Sequence, residues 1–134
     1  MNNPDTKDER FAFFRIVLMP PREELYRRIE RRVDDMVAGG LFEEARAIYD
    51  SRYREALKQC KVVGYAEIVR HLEEGLSRKG TIALIKQNTR RFAKRQYTWF
   101  RAEKADLTVN TFGAEAVAQA VAALDSWWKS APKN

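Results

Sequence analysis

The chain has 134 residues, 45% of them hydrophobic and 33% charged, with a formal net charge of +6. That balance suits a folded chain with one modest core and argues against disorder. No apolar run approaches the roughly 20 residues that span a bilayer. Acidic Asp5 and Glu9 lie upstream of the apolar stretch from Ile16, which does not fit a signal peptide. One cysteine (Cys60) and one histidine (His71) exclude an internal disulfide and the usual all-protein zinc site. A reducing, cytoplasmic setting is the expectation, with no membrane partner.

Taken in chain order, residues 1–10 are polar and predict a flexible tail, followed by a single domain over residues 11–130. Phe11 to Met19 is aromatic and β-branched and stops at Pro20-Pro21, which predicts a buried strand. Pro21, Glu23 and Glu24 suit the start of a helix. Leu25, Ile29, Val33, Met36 and Val37 continue it at helical spacing to about Ala38, before Gly39-Gly40. A second helix is expected over residues 42–53, with Phe42, Ala45, Ile48 and Tyr49 on one face. A loop through Lys61-Val62-Val63-Gly64 leads to a short helix over residues 66–74, ended by Gly75. Ser77 is a candidate cap for a long helix over residues 78–101, although Gly80 weakens its first turn. A short strand is expected at Leu107 to Asn110. The last helix, residues 114–129, should turn Val117, Val121 and Leu124 to the core. Two short strands do not make a stable sheet alone, so they read as strands that belong beside others.

The long helix carries the charge. From Leu76 to Ala102 there are eight Lys or Arg and no Asp or Glu, whereas the remainder holds 17 basic and 19 acidic residues. Lys86, Arg90 and Lys94 fall in one i, i+4 row, and Arg91 and Arg95 in a second. Such like-charge pairs repel by about 0.2–0.5 kcal/mol each, a cost that contact with phosphates would offset through counterion release. Trp99 and Phe92 are expected to pack inward, leaving Tyr97 as the candidate base-stacking ring. A solvated basic face is the plainer reading, and the interleaved aromatics weigh against it.

The string Thr89-Arg90-Arg91-Phe92-Ala93-Lys94-Arg95-Gln96-Tyr97-Thr98-Trp99-Phe100 resembles the signature of tRNA dimethylallyltransferases, also called tRNA isopentenyltransferases. Val63-Gly64-Tyr65-Ala66-Glu67 resembles that family's Gly-Tyr-x-Glu segment. Arg22 to Val33, with Met36 and Gly39-Gly40-Leu41, resembles its Arg-Ile-x-x-Arg helix. The three motifs come in the family's order, and the resemblance covers residues 14–109.

The resemblance implies an α/β fold: the mostly helical, C-terminal part of a P-loop, kinase-like fold, with about five helices and two short strands. It implies transfer of a dimethylallyl group from dimethylallyl diphosphate to N6 of the adenosine 3′ of the anticodon, with Mg2+ expected for the full enzyme. By position it assigns Arg32, and one turn earlier Arg28, to the diphosphate. It assigns tRNA contacts to Lys61, Val62, Val63, Gly64, Tyr65, Ala66, Arg90, Lys94, Arg95, Gln96, Tyr97, Thr98, Trp99, Phe100 and Arg101. The family often has a basic or polar residue where Ala66 stands, which puts one RNA contact in doubt.

The family's G-x-x-x-x-G-K-[ST] phosphate loop and its early catalytic aspartate have no counterpart in these residues. Gly75 to Thr81 has the glycine spacing but no Lys after Gly80, and it follows a helix rather than a strand. The expectation is a chain that supplies RNA-binding and diphosphate-proximal residues, is inactive alone and finds tRNA as its partner. A P-loop portion on a separate chain is a further expected partner. The alternative is a stand-alone basic helical RNA-binding module without catalysis.

Overall fold

The computed structural model describes residues 11–130. The expected tail, residues 1–10, lies outside them. In chain order the elements are β1 (Ile16–Leu18), α1 (Arg22–Ala38), α2 (Leu41–Tyr49), α3 (Arg54–Gln59), α4 (Tyr65–Glu74), α5 (Arg78–Ala102), β2 (Leu107–Val109) and α6 (Gly113–Ser130). The mostly helical α/β class is as expected. The chain groups into two compact units: residues 22–98, and the described residues on either side of them.

The first unit is helical. Its core is Val33 from α1, Leu41, Phe42 and Ala45 from α2, Ile68 from α4 and Ile85 from α5, with Val37, Val63, Tyr65, Leu72 and Ile82 packed around them. The apolar spacing of α1 and α2 predicts most of this set, because positions three and four apart share one helix face. Helix α3 stands where a loop is expected. It is six residues long and buries only Leu57, too little for any periodic pattern to show. The α4–α5 junction explains the glycines there. Gly75 closes α4 in a left-handed conformation. Ser77 caps α5 by accepting the Gly80 N–H at 3.0 Å. A Cβ on residue 80 would lie 2.9 Å from the Ser77 hydroxyl oxygen, so the glycine makes room for the cap rather than for a phosphate. His71 is structural: its ring meets Phe42 edge-on at 5.4 Å, and Nδ1 is paired with the Leu76 carbonyl.

In the second unit β1 and β2 pair in parallel, with Ile16, Val17 and Leu18 opposite Leu107, Thr108 and Val109. The strand is shorter than Phe11 to Met19, since its partner offers only three residues. It is also not buried: Leu18 is 61% exposed and Phe13 66%. Helix α6 packs against β2. Helix α6 reverses the expectation. Ala116 is buried, and Ala120, Ala123 and Trp127 follow on the same face half-buried, with Trp127 against Phe14 at 5.5 Å. Val117, Val121, Leu124 and Trp128 form the exposed stripe. Small alanines let the helix lie close to the short sheet, and the branched side chains point the other way.

Candidate nucleic-acid interface

The basic helix α5 lies against α1. Lys86 Nζ sits 2.8 Å from Asp34, and an Arg90 guanidinium nitrogen sits 2.8 Å from Glu30. Arg78 reaches Glu43 of α2 at 3.6 Å and stacks on Phe42 at 4.3 Å. Three of the eight cations between residues 76 and 102 are therefore neutralised by carboxylates distant in sequence. The acid-free stretch is acid-free along the chain but not in space. These are partly exposed pairs, each contributing about 0–1 kcal/mol.

Lys79, Arg91, Lys94, Arg95 and Arg101 are exposed and form no ion pair among the described residues. Arg95 lies over the Phe92 ring at 5.8 Å. Arg91, Lys94 and Arg95 share the outward side of α5, opposite buried Ile85 and Ala93. Gln96 and Thr98 are exposed on the same stretch, and the Thr98 hydroxyl donates to the Lys94 carbonyl at 3.1 Å.

The aromatic rings are the reverse of the expectation. Ala93 and Tyr97 are four apart and both turn inward, which carries Phe92 and Trp99, seven apart, to the surface at 50% and 61% exposed. Tyr97 is half-buried beneath the Arg22 guanidinium, 5.7 Å from its centroid, and its hydroxyl has no hydrogen-bond partner among the described residues. Burial pushes its phenol above the ordinary range; Arg22 acts weakly the other way. Trp99 meets half-buried Phe100 edge-on at 4.7 Å.

The Lys61 to Ala66 segment is held by residues that sequence reasoning passed over. Gly64 precedes α4 with φ +110°, a conformation essentially reserved for glycine. Its N–H donates to Glu67 Oε2 at 2.6 Å, half of a capping box, and Asn88 Nδ2 of α5 donates to Glu67 Oε1 at 2.8 Å. Glu67 is only 5% exposed, so both carboxylate oxygens find a partner in the protein. The Tyr65 hydroxyl donates to Glu44, which, with burial, raises its pKa. Val63 and Tyr65 pack on the core and Gly64 is buried, so Lys61, Val62 and Ala66 are the exposed members. The Gly-x-x-Glu spacing was the available signal for Glu67; nothing local marks Asn88.

On α1, Arg28 pairs with Glu24 at 3.6 Å, one turn back. Arg32 is exposed one turn further on. Arg27, Arg28, Arg31 and Glu24 line a shallow surface depression. Among the described residues no three His, Cys, Asp or Glu side chains converge. No described helix is long and apolar enough to cross a membrane.

The IPP transferase family model matches residues 1–103. A tRNA dimethylallyltransferase of Geobacter metallireducens is 46% identical over 96 residues, which are 72% of this chain and 31% of the relative. One from Pelotomaculum thermopropionicum is 41% identical over 121 residues, 88% of this chain and 38% of the relative. The crystal structure of the full-length tRNA isopentenylpyrophosphate transferase of Bacillus halodurans matches with a TM-score of 0.68 at 34% identity, over 87% of this chain and 40% of that one. The tRNA isopentenylpyrophosphate transferase of Staphylococcus epidermidis matches at 0.70 and 25% identity, over 87% and 39%. The chain thus spans about a third of the length of the curated relatives it matches. The three motifs, β1 and the basic helix all fall within the residues that the family model matches, and the chain belongs to the IPP transferase family.

Proposed function

We propose that this chain is the tRNA-gripping part of an enzyme that transfers a dimethylallyl group from its diphosphate to N6 of the adenosine 3′ of the anticodon. The supporting observation is the outward face of α5, where Arg91, Lys94 and Arg95 are exposed without carboxylate partners among the described residues. Phosphate oxygens are the natural complement of such a row. Exposed Trp99 and Phe92 offer flat apolar surface for an unstacked base. Lys61, Val62 and Ala66 provide a second contact. Val63, Gly64 and Tyr65 shape that turn from beneath, and Gln96, Thr98, Phe100 and Arg101 complete the helix end. Arg90 is held by Glu30, which withholds its guanidinium from phosphate while the pair stands.

In the transfer, the adenosine amine attacks the allylic carbon, the carbon–oxygen bond to the diphosphate breaks, and the amine loses a proton to a base. Arg32, with Arg28 one turn before it, suits the departing diphosphate, because a guanidinium meets phosphate oxygens in pairs. No phosphate-loop motif lies within these residues. A separate N-terminal chain as partner finds no support among the relatives.

A stand-alone RNA-binding module is the second reading, favoured by the self-contained core of residues 22–98. Incubating the 134-residue chain with dimethylallyl diphosphate and an anticodon-arm RNA tests the proposal. Salt-sensitive binding without modified adenosine is expected. Absence of binding contradicts the gripping role, and product formation contradicts inactivity of these residues alone. Fusing this chain to a relative's phosphate-loop portion separates the two readings: transfer supports the enzyme, and its absence in a folded fusion protein supports the module.

A further inference from the structure

The pairs Glu30–Arg90 and Asp34–Lys86 fix the register of α1 against α5. Four residues forward on α1 correspond to four residues back on α5, so the helices run antiparallel. Val33 and Ile85, both in the core, lie to one side of this line of ion pairs. The 100° step of an α-helix then determines what lies on the other side. On α1 it is Arg27 and Arg31; on α5 it is Arg91 and Lys94. All four are exposed, and none forms an ion pair among the described residues. Glu30 and Asp34 hold α5 and Glu24 pairs with Arg28, while exposed Glu23, four residues before Arg27, forms no ion pair among the described residues. Asp35 shares the face of Arg31 without pairing to it.

We infer that the outer face of the α1–α5 seam is a two-sided track for an RNA backbone, with Arg27 and Arg31 on one lip and Arg91 and Lys94 on the other. This rests on the RNA-binding reading of α5 and extends it to a second helix. The floor of the track is neutralised by its own ion pairs, so the positive charge is concentrated on the lips, where a polyanion can reach it. The two arginines on α1 are separate from Arg28 and Arg32, which are assigned to the diphosphate. A guanidinium meets phosphate oxygens in pairs through its planar fork, and the row spacing of one helical turn, about 5.4 Å, is close to that of successive backbone phosphates.

The test is the salt dependence of anticodon-arm binding by the 134-residue chain, by an Arg27→Ala/Arg31→Ala variant and by an Arg91→Ala/Lys94→Ala variant, with helicity measured for each. Each double variant is expected to keep its helicity, to bind roughly tenfold more weakly at low salt, and to lose about 1.4–1.8 from the slope of log affinity against log salt. If the α1 variant keeps wild-type affinity and slope while the α5 variant weakens, the track is overturned and the RNA reading of α5 stands. If the wild-type chain shows no salt-dependent binding, both fall. Equal competition by polyglutamate at matched charge would assign the surface to an acidic protein instead.

Discussion

Asn88 of α5 donates to the same buried carboxylate, Glu67, that accepts the Gly64 N–H. One side chain thereby ties the turn before α4 to the basic helix. Asn88→Ala removes one of the two partners of a buried carboxylate, which costs about 1–3 kcal/mol. Urea unfolding is expected to show a lower midpoint with an unchanged m-value. An unchanged midpoint would mean that water replaces the amide and the tie is not structural.

Gly64 is required for its backbone rather than for space. A Cβ there would sit 3.8 Å from Leu41 Cδ2, an ordinary contact, but φ is +110°. Gly64→Ala is expected to destabilise the chain by about 1–3 kcal/mol through strain alone, read by thermal or urea unfolding. Wild-type stability would show that the turn relaxes easily.

Tyr97 carries an unpartnered buried hydroxyl. Tyr97→Phe should therefore leave stability intact or raise it by roughly 1 kcal/mol. Burial raises the Tyr97 phenol, and the Glu44 hydrogen bond raises Tyr65. Because these folded-state values are raised, the unfolded chain releases its phenol protons first. Stability is then complete below pH ~10 and falls as pH rises through the folded values. Absorbance at alkaline pH should show two of the five tyrosines ionising late, and Tyr97→Phe should remove one. A single transition for all five would contradict the burial of Tyr97.

Glu30 and Arg90 meet on the α1–α5 seam at 2.8 Å. Glu30→Gln is expected to change stability by less than about 1 kcal/mol. It also removes a negative charge beside the proposed RNA surface and releases Arg90, so RNA affinity should rise a few-fold at low salt. A fall in affinity would mean that the pair itself shapes the binding face.

Much of this fold is legible in the sequence because α1, α4 and α5 carry clear periodicity and clear stops, as at Gly39-Gly40 and Gly75. Helix α3 and the short β1 are less legible, since six and three residues contain too few repeats. The face of α6 is misread because hydrophobicity alone favours Val117 and Val121, whereas alanines give the closer packing against a short sheet. The candidate site was legible as a motif and as a concentration of charge. Which cations are neutralised was not, because Glu30 and Asp34 lie more than fifty residues from Arg90 and Lys86 and only the folded register brings them together.

The proposed grip on RNA depends on the outward face of α5, on Lys94 and its neighbours. The most direct measurement is binding of an anticodon-arm hairpin at several salt concentrations to the wild-type chain and to Lys94→Ala/Arg95→Ala. Salt-sensitive wild-type binding is expected, with the variant weakened roughly tenfold and its slope shallower by about 1.4–1.8 for two lost phosphate contacts. Identical affinity and slope for the two proteins would contradict it.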